Sequence, residues 1–449
     1  MHVSRSGRIG DAPTSAASTP VEPRSFERGA IVLLVTFLLI FPKGGIKVAE
    51  VPITWGYLLL GIASLSIPLA LLSRSRARVR KESLTVVAGL IPFQMVVWLG
   101  LLFNGVTGMG FAISLLVSFF FVPLAFLLAL GPSLDRLNLG LLYRLIRGGI
   151  LFIAAYGIFL FFYRLGTGSF IEIPYLTVNA GDFGDMDEKF IDRGGIFKLI
   201  STYNNGNIYG VSLLLLLPLY SWLERRTWPK LIVKLSLLLT LSRTVWVGLL
   251  VYEVVQRIYV RRISVKDVAL LLVSLVLLVA GVLAALTLMG AETSFLFDPN
   301  LGGRIGQLEV LRNPSILPSI SFEHVLEMVY LSMLENFGLV GLLSYVLAMT
   351  MPLWLLFLGA VPFAETEYKR GLGAGLIVYL FVSLSDGALL FIPVMAFYWF
   401  IVALLVSPNP SFTTWGEAGV SARSSSNHTR AVPPRTHAGH PATAPDRPL

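Results

Sequence analysis

The sequence predicts an all-α polytopic membrane protein with about twelve transmembrane helices, and three observations support this fold class. The chain of 449 residues is 55% hydrophobic and has a mean hydropathy of +0.76. Only 14% of its residues are charged, compared with about 25% in soluble proteins. The basic residues lie mostly in short connections between apolar runs, which is the positive-inside pattern of membrane proteins.

The same composition excludes several classes of function. The net charge of +9 does not indicate nucleic-acid binding, because no basic patch is interleaved with aromatic residues. The chain has no cysteine, which excludes disulfides, thiolate metal sites and cysteine nucleophiles. No P-loop, zinc-protease or serine-hydrolase motif occurs. Any chemistry therefore has to come from polar residues in or between the apolar runs.

Three regions follow from the distribution of apolar residues. Residues 1–28 and 409–449 are predicted to be disordered cytoplasmic ends, because neither can bury enough apolar surface to fold alone. No cleavable signal peptide is evident, since the first apolar run begins near Gly29 after a long polar lead. Residues 29–408 are predicted to form a single transmembrane domain.

The apolar runs and the charges between them predict an orientation. A membrane-spanning helix needs about 20 apolar residues. The connection 73–83 contains five basic residues and one acidic residue, so it is predicted to be cytoplasmic. Counting from it places 132–147 inside, and 104–108 and the long loop 166–205 outside. The runs lie near 29–42, 52–72, 84–103, 109–131, 148–165, 206–223, 231–256, 267–289, 326–358, 371–388 and 391–408.

The run 231–256 is predicted to be a hairpin of two short helices. A single crossing would place the basic residues of 257–266 outside, against the positive-inside rule. Arg243, near the expected apex, is the only charged residue between Lys234 and Glu253. A cation at membrane depth usually contacts a partner or a wet cavity. We therefore expect Arg243 to face a cavity open to the outside; the alternative is a salt-bridged arginine without a ligand.

The remaining runs complete the count of crossings. The run 267–289 leads to a second outer loop, 290–325. The run 326–358 is too long for one span, so we expect a short helix over 326–336, a break at Gly338 and then a membrane helix. The last two runs return the tail to the cytoplasm. With the hairpin counted as two, the chain makes about twelve crossings.

Polar residues on the predicted outer side suit a diphosphate ligand. Arg193 precedes two glycines and Arg304 follows two, and Arg243 is the third arginine on this side. Guanidinium groups bind phosphate oxygens in a bidentate manner. Asn204 and Asn207 add neutral polar groups at the start of a predicted helix. The alternative for each Gly-Gly-Arg segment is an exposed turn with a solvated arginine.

Three residues near the second outer loop are candidate catalytic groups. His324 and Glu327 are three residues apart, which makes them neighbours on a helix. Glu335 lies eight residues beyond Glu327, or about 80° around a helix. An imidazole or carboxylate here could accept a proton from an attacking hydroxyl. The alternative is an interfacial helix whose polar residues contact water.

Four segments, in this order, resemble the O-antigen ligase and O-antigen polymerase family of bacterial membrane glycosyltransferases. The resemblance covers roughly residues 190–350, and its most specific parts are the Thr240, Ser242 and Arg243 group and the run from Tyr330 to Gly341. The segments are DRGGIFKLISTYNNGN (192–207), LLLTLSRTVWVGLL (237–250), GGRIGQLEVL (302–311) and VYLSMLENFGLVGLLSYV (329–346).

The resemblance implies a GT-C-type fold with its active site on the extracytoplasmic side of the bacterial inner membrane. It implies a glycan donor on undecaprenyl diphosphate, a glycan or lipid-core acceptor, and no metal or cofactor. It assigns diphosphate binding to Arg193, Arg243 and Arg304, and Tyr330 is a further candidate substrate-binding residue. A chain-length regulator or another assembly protein is an expected partner. In ligases a His-Asn pair stands where this chain has Glu327 and Met328, so polymerase is slightly favoured over ligase.

A multi-pass transporter or flippase for polysaccharide precursors is the alternative from another functional class. Twelve crossings and an intramembrane arginine suit a transporter too. Transporter sites, however, lie near the bilayer midplane between repeated halves of the chain. This sequence has no visible internal repeat, and its polar residues gather in two outer loops. The distribution of polar residues therefore favours the transferase.

Overall fold

The computed structural model describes residues 25–48, 51–62, 80–134, 139–184, 192–193, 196–260, 265–288 and 304–409. These residues belong to one compact unit that ends at Asn409. Three predicted features lie outside the described residues: most of the basic connection 73–83, the glycine pairs beside Arg193 and Arg304, and the tail after Asn409. For the same reason, the predicted disorder of residues 1–24 and 410–449 stays a prediction, whereas residues 25–28 belong to a helix and Asn409 is buried.

The described part of the chain is mostly helical, with two short β-hairpins. π-helical turns extend α1 to Ile40 and α8 to Val260. In chain order the elements are α1 (Ser25–Val35), β1 (Gly45–Val48), β2 (Val51–Thr54), α2 (55–62), α3 (Lys81–Asn104), α4 (Met109–Leu130), α5 (Gly140–Thr167), β3 (Asp192–Arg193), β4 (Ile196–Phe197), α6 (Gly206–Leu223), α7 (Thr227–Leu238), α8 (Arg243–Val255), α9 (Val265–Leu288), α10 (Val329–Phe357), α11 (Glu367–Val382) and α12 (Ile392–Val406).

The apolar character of the helices agrees with a membrane protein. Within the described residues, α3, α4, α5, α6 and α10 are long and apolar enough to cross a bilayer, and α12 is a shorter apolar helix. The apolar part of α6 is 78% buried, compared with 39–44% in the other four. Helix α6 is therefore central, and it packs against α8, α11 and α12. The number of crossings and the positions of the loops relative to a membrane stay predictions.

Backbone contacts join the connections at one end of the bundle, which we call the apex end because it contains the turn between α7 and α8. These connections belong to the segments that the sequence predicts to be extracytoplasmic. The contacts are a bridge between Gly45 and Asn179, a bridge between Val106 and Phe322, and a hydrogen bond of 3.0 Å from the Leu199 N–H to the Leu239 carbonyl.

The opposite end, which we call the tail end, has its own contacts. The Lys369 ammonium is fully buried and donates to the carbonyls of Leu404, Leu405 and Ser407 at 2.7–2.8 Å. It thereby satisfies carbonyls at the end of α12 that have no partner within the helix. Further contacts at this end are Arg80 to the Gly131 carbonyl (2.5 Å), Arg147 to Glu224 (3.9 Å) and the Asn409 amide to the Leu134 carbonyl (2.8 Å). Helices from α3 to α8 thus run alternately between the two ends.

The run 231–256 forms two helices, as the hairpin prediction expects. The indole N–H of Trp246 donates to the Leu238 carbonyl at 2.9 Å, and Lys234 forms an ion pair with Glu253. Both contacts join a residue before the turn to a residue after it, so the chain reverses direction there. Leu241 adopts a positive φ of 49° in this turn, which lets the two helices follow each other so closely. The two limbs have 12 and 13 residues, so each is shorter than the bilayer core is thick.

Helix α10 confirms one prediction and corrects another. Gly338, with φ 68° and ψ −173°, interrupts the helix as expected. The helix begins at Val329 and not at residue 326, because residues 323–328 are not helical. The break exposes the N–H groups of Leu339 and Val340, which donate to the carbonyls of Ser315 (2.9 Å) and Ile316 (3.1 Å). The segment around residue 316 therefore supplies the hydrogen-bond acceptors that the helix lacks at the break.

Candidate functional site

One arginine lies between two carboxylates at the apex end. A side-chain nitrogen of Arg304 lies 2.6 Å from a Glu327 oxygen and 3.5 Å from an Asp386 oxygen. Arg304 precedes a short 3₁₀ helix (Gly306–Leu311), Glu327 lies two residues before α10, and Asp386 lies between α11 and α12. Asn207, in the first turn of α6, donates to Asp386 at 2.9 Å. We call Arg304, Glu327, Asp386 and Asn207 the arginine cluster.

The two carboxylates differ in their exposure to solvent. The Glu327 side chain is 55% exposed, whereas that of Asp386 is 10% exposed. Burial raises the pKa of Asp386 above its ordinary value, and the charge of Glu327 raises it further. Arg304 and hydrogen bonds from the Ala388 N–H and Asn207 act in the opposite direction. Asp386 is therefore harder to ionise than an ordinary aspartate, and Glu327 is the carboxylate that a ligand can reach.

The cluster contains buried polar atoms that have no partner among the described residues. These are Nε of Arg304 and Oδ1 of Asn207. Buried polar groups normally form hydrogen bonds, and each unpaired one needs an explanation. One is a donor and the other is an acceptor, so a polar ligand or water in the cluster could satisfy both. The arrangement suits binding of a group with phosphate or hydroxyl oxygens.

Neighbouring backbone bonds position the cluster. The Met328 N–H donates to the Gln307 side chain at 3.1 Å, which fixes the segment with Glu327 against the 3₁₀ helix. The Val329 N–H donates to the Ser383 carbonyl at 3.2 Å, so α10 begins where α11 ends. Both carboxylates are thus carried by segments tied to helix ends.

Arg243 lies at the same end of the bundle. It is the first residue of α8 and is partly exposed. The next residue, Thr244, shares a hydrogen bond of 2.8 Å with Ser385, the neighbour of Asp386. The structure therefore brings the start of α8 beside the arginine cluster, whereas the predicted cavity and diphosphate binding of Arg243 stay predictions.

Arg193 is described only through its backbone. It pairs with Ile196 in the hairpin of β3 and β4. Its side chain lies outside the described part of the chain, so its predicted role in diphosphate binding stays a prediction.

The predicted relationship among His324, Glu327 and Glu335 is wrong. His324 and Glu327 precede α10 in a non-helical segment, so they are not neighbours on one helix face. Both are exposed, and the His324 carbonyl accepts from the Asn336 amide at 3.1 Å. Glu335 does lie on α10, and its buried Oε2 has no hydrogen-bond partner among the described residues. The angle of 80° between Glu327 and Glu335 does not apply, because only Glu335 is helical.

The other two predicted binding residues make local contacts. The Tyr330 hydroxyl donates to the Leu380 carbonyl at 2.8 Å and ties α10 to α11. Asn204 adopts a left-handed conformation (φ 55°), and its amide donates to the Thr177 carbonyl at 2.8 Å. Asn204 also lines an open polar pocket beside the arginine cluster.

Sequence reasoning missed Asp386. It is the only acidic residue between Glu367 and Glu417 and interrupts an apolar stretch. The argument that singled out Arg243, an isolated charge among apolar residues, applies equally to this carboxylate.

Metal binding and an apolar cavity complete the description. No group of three or more His, Asp or Glu side chains comes together among the residues that the structure describes. A partly open cavity between α1, α5 and α12 is lined only by apolar and aromatic side chains such as Leu38, Leu142 and Phe397. This cavity offers no group for acid–base or ionic chemistry.

Comparison with known proteins adds no family assignment. No family model matches the sequence, and no protein with curated annotation is similar to it. The functional conclusion therefore depends on the residues and geometry described above.

Proposed function

We propose that this chain is an integral-membrane glycan transferase. It would move or polymerise an oligosaccharide carried on undecaprenyl diphosphate, in O-antigen or exopolysaccharide assembly. The enzyme would lie in the bacterial inner membrane, with its active site on the extracytoplasmic side. A glycan or a lipid core would be the acceptor, and the reaction would need no metal or cofactor.

The observation that carries this proposal is the position of the charged groups. Arg304 and Glu327 come from the connection between α9 and α10, Asp386 comes from the connection between α11 and α12, and the three meet at one end of an apolar helical bundle. A lipid-linked diphosphate has its head group at the membrane surface and its chain in the bilayer. Such a head group and its attached sugar would contact charged residues at the ends of the helices. A transporter site would be expected near the middle of the helices.

The reaction needs a base and stabilisation of the leaving group. The oxygen of an acceptor hydroxyl bonds to the anomeric carbon of the donor. The bond from that carbon to the diphosphate oxygen breaks, and undecaprenyl diphosphate leaves with the electron pair. The hydroxyl proton passes to Glu327. Glu327 suits this role because it is the exposed carboxylate of the cluster.

The ion pair between Arg304 and Glu327 suggests how the base becomes available. Arg304 would bind the donor diphosphate and release Glu327 for proton transfer. Asp386 would stay beside Arg304 and keep its guanidinium in place. Arg243 would add a second cation to offset the charge that develops on the diphosphate. Arginine suits this role because its planar group binds phosphate in a bidentate manner.

A charge-removing substitution at Glu327 tests the proposed reaction. Purified protein in lipid nanodiscs would receive lipid-linked donor and acceptor, and the release of undecaprenyl diphosphate and the product glycan would be measured. Glu327→Gln should abolish transfer, because it keeps the side-chain shape but removes the basic oxygen. Glu323→Gln is the matched control, since Glu323 is an exposed carboxylate outside the cluster, and it should remain active.

Two outcomes would redirect the proposal. If Glu327→Gln is fully active and His324→Ala is inactive, the histidine is the base. If wild-type protein moves the lipid-linked glycan across a bilayer without releasing undecaprenyl diphosphate, the chain is a transporter. A deletion strain separates the two kinds of transferase. Loss of long chains with single units still attached indicates a polymerase, and loss of all attachment indicates a ligase.

A further inference from the structure

A second polar site lies beside the arginine cluster at the apex end. It is a polar pocket that opens to solvent. Asn205 of the pocket is two residues from Asn207 of the cluster, so their Cα atoms are at most about 7 Å apart. The Lys43 ammonium, also in the pocket, lies 4.7 Å from the ring centre of Phe391, in the segment that follows Asp386. The lining residues are Lys43, Asn179, Asp182, Asn204, Asn205 and Ile208.

Close backbone packing forms the side of the pocket near Lys43. A Cβ on Gly44 would lie 2.5 Å from the Leu176 carbonyl oxygen, so only glycine allows the two segments to approach this closely. Gly45 forms a β-bridge with Asn179, and the Trp55 indole donates to the Tyr175 carbonyl at 2.7 Å. These contacts fix the segment with Lys43 against the segment with Asn179 and Asp182. The pocket is therefore part of the folded structure and not a gap between loose loops.

One lining residue carries an unsatisfied acceptor. Asn179 is only 4% exposed, and its Oδ1 atom accepts no hydrogen bond from the described residues. A buried acceptor of this kind is unusual in a native structure. A ligand hydroxyl could satisfy it directly or through one bridging water. The unpaired oxygen thus points to a polar ligand with hydrogen-bond donors.

The chemistry of the lining residues narrows the class of ligand. The three asparagine amides supply both donors and acceptors, which matches the dual character of sugar hydroxyls. Lys43 and Asp182 carry opposite charges, so the pocket does not favour an anion over a neutral ligand. Ile208 adds an apolar surface for the C–H face of a sugar ring. This combination suits a polyhydroxylated ring better than a phosphate group.

We propose that this pocket binds a saccharide unit of the glycan that lies next to the reacting sugar. Its place beside the reacting sugar rests on the proposed transferase function, whereas saccharide binding itself does not. The unit could belong to the donor or to the acceptor glycan, and the two have the same hydroxyl chemistry. Occupation of the pocket would align the glycan with the arginine cluster.

Direct binding to the full chain in nanodiscs tests the proposal without turnover. One probe is the water-soluble oligosaccharide released by mild acid from the lipid-linked donor. The second probe is the acceptor glycan freed of its lipid. A third probe, glycerol 3-phosphate, represents a phospholipid head group. Ile208→Trp fills the pocket and should raise the Kd for the bound saccharide at least about tenfold. Ile173→Trp is the matched control, since Ile173 is 43% exposed in the loop that carries Asn179 and Asp182 and does not line the pocket.

Each outcome decides the proposal. Saccharide binding that weakens with Ile208→Trp but not with Ile173→Trp supports it, and the probe that binds identifies the source of the unit. If Ile208→Trp does not fold, Asp182→Asn takes its place and should weaken binding several-fold. Equal Kd values in the pocket variant and the control overturn the proposal. Binding of neither saccharide, or of glycerol 3-phosphate alone, also overturns it. Saccharide binding by a wild-type protein without transfer activity would refute the transferase and leave the pocket's role intact.

Discussion

Removal of the Arg304 guanidinium tests whether the cluster is an ionic unit. Arg304→Met keeps a long, flexible side chain but removes the cation between the two carboxylates. The charge of Glu327 should lose little stabilisation, because its side chain is 55% exposed and solvent screens its charge. The charge of Asp386 should be destabilised most, because its side chain is 10% exposed and the Arg304 guanidinium lies 3.5 Å from it. The cost therefore arises from an uncompensated buried carboxylate.

The magnitude follows from this burial. Removal of one partner of a buried ion pair costs about 3–5 kcal/mol. That range is an upper limit here, because Asp386 keeps its hydrogen bonds from Asn207 and Ala388 and can bind a proton. Adding Asp386→Asn removes the uncompensated charge. The double variant should therefore be more stable than the sum of the single changes predicts, by about 1–3 kcal/mol.

The assay is a double-mutant cycle on the free energy of unfolding. Wild type, Arg304→Met, Asp386→Asn and the double variant would be unfolded reversibly in mixed micelles. A coupling energy within about 0.5 kcal/mol of zero would show that the two side chains are independent and would refute the reasoning.

The pH dependence of the same variants provides a second readout. The raised pKa of Asp386 means that the folded state binds its proton more tightly than the unfolded state does. Its contribution to stability is therefore greatest below the ordinary pKa of aspartate and is lost as the pH rises through the raised folded value. Arg304 lowers this pKa, so Arg304→Met should raise it further. The stability deficit of Arg304→Met should shrink on acidification, and a deficit that does not change with pH would contradict this.

Three further predictions concern other parts of the molecule. Arg243→Ala should reduce transfer at least about tenfold, since a charged hydrogen bond contributes about 1.5–3 kcal/mol; a fully active Arg243→Lys enzyme at limiting donor would exclude bidentate binding. Lys369→Met should lower the free energy of unfolding by at least about 1 kcal/mol, because three carbonyls lose a charged donor, and an unchanged denaturation midpoint would contradict that role. Reporter fusions at 262 and 310 should be cytoplasmic and extracytoplasmic respectively, and an extracytoplasmic signal at 262 would contradict the predicted orientation of the hairpin in the membrane.

The sequence predicts the helices well where a single physical rule dominates. The break at Gly338 follows from glycine in an overlong apolar run. The reversal between α7 and α8 follows from the basic residues after position 256, since charge distribution and not hydropathy decides it. Both features are local in sequence, or depend only on counting charges along the chain.

The site is less predictable because its partners are distant in sequence. Arg304, Asp386 and Asn207 come together only through the packing of α6, α10 and α11, which no local pattern specifies. The spacing of His324 and Glu327 predicts that both lie on one helix. The start of α10 is instead fixed by the bond from the Val329 N–H to the Ser383 carbonyl, a tertiary contact that spacing cannot reveal.

The break at Gly338 limits where the chain can accept insertions and deletions. Two carbonyls from residues 315 and 316 act as the missing turn of α10, although they come from more than twenty positions earlier in the chain. In a bilayer, unpaired N–H groups at such a break cost several kcal/mol each. Outer loops usually accept insertions readily. Here a one-residue insertion or deletion near 315–316 would shift the accepting carbonyls out of register and leave two N–H groups of α10 unpaired. Length variation should therefore be tolerated elsewhere in the outer loops and selected against at residues 315–316.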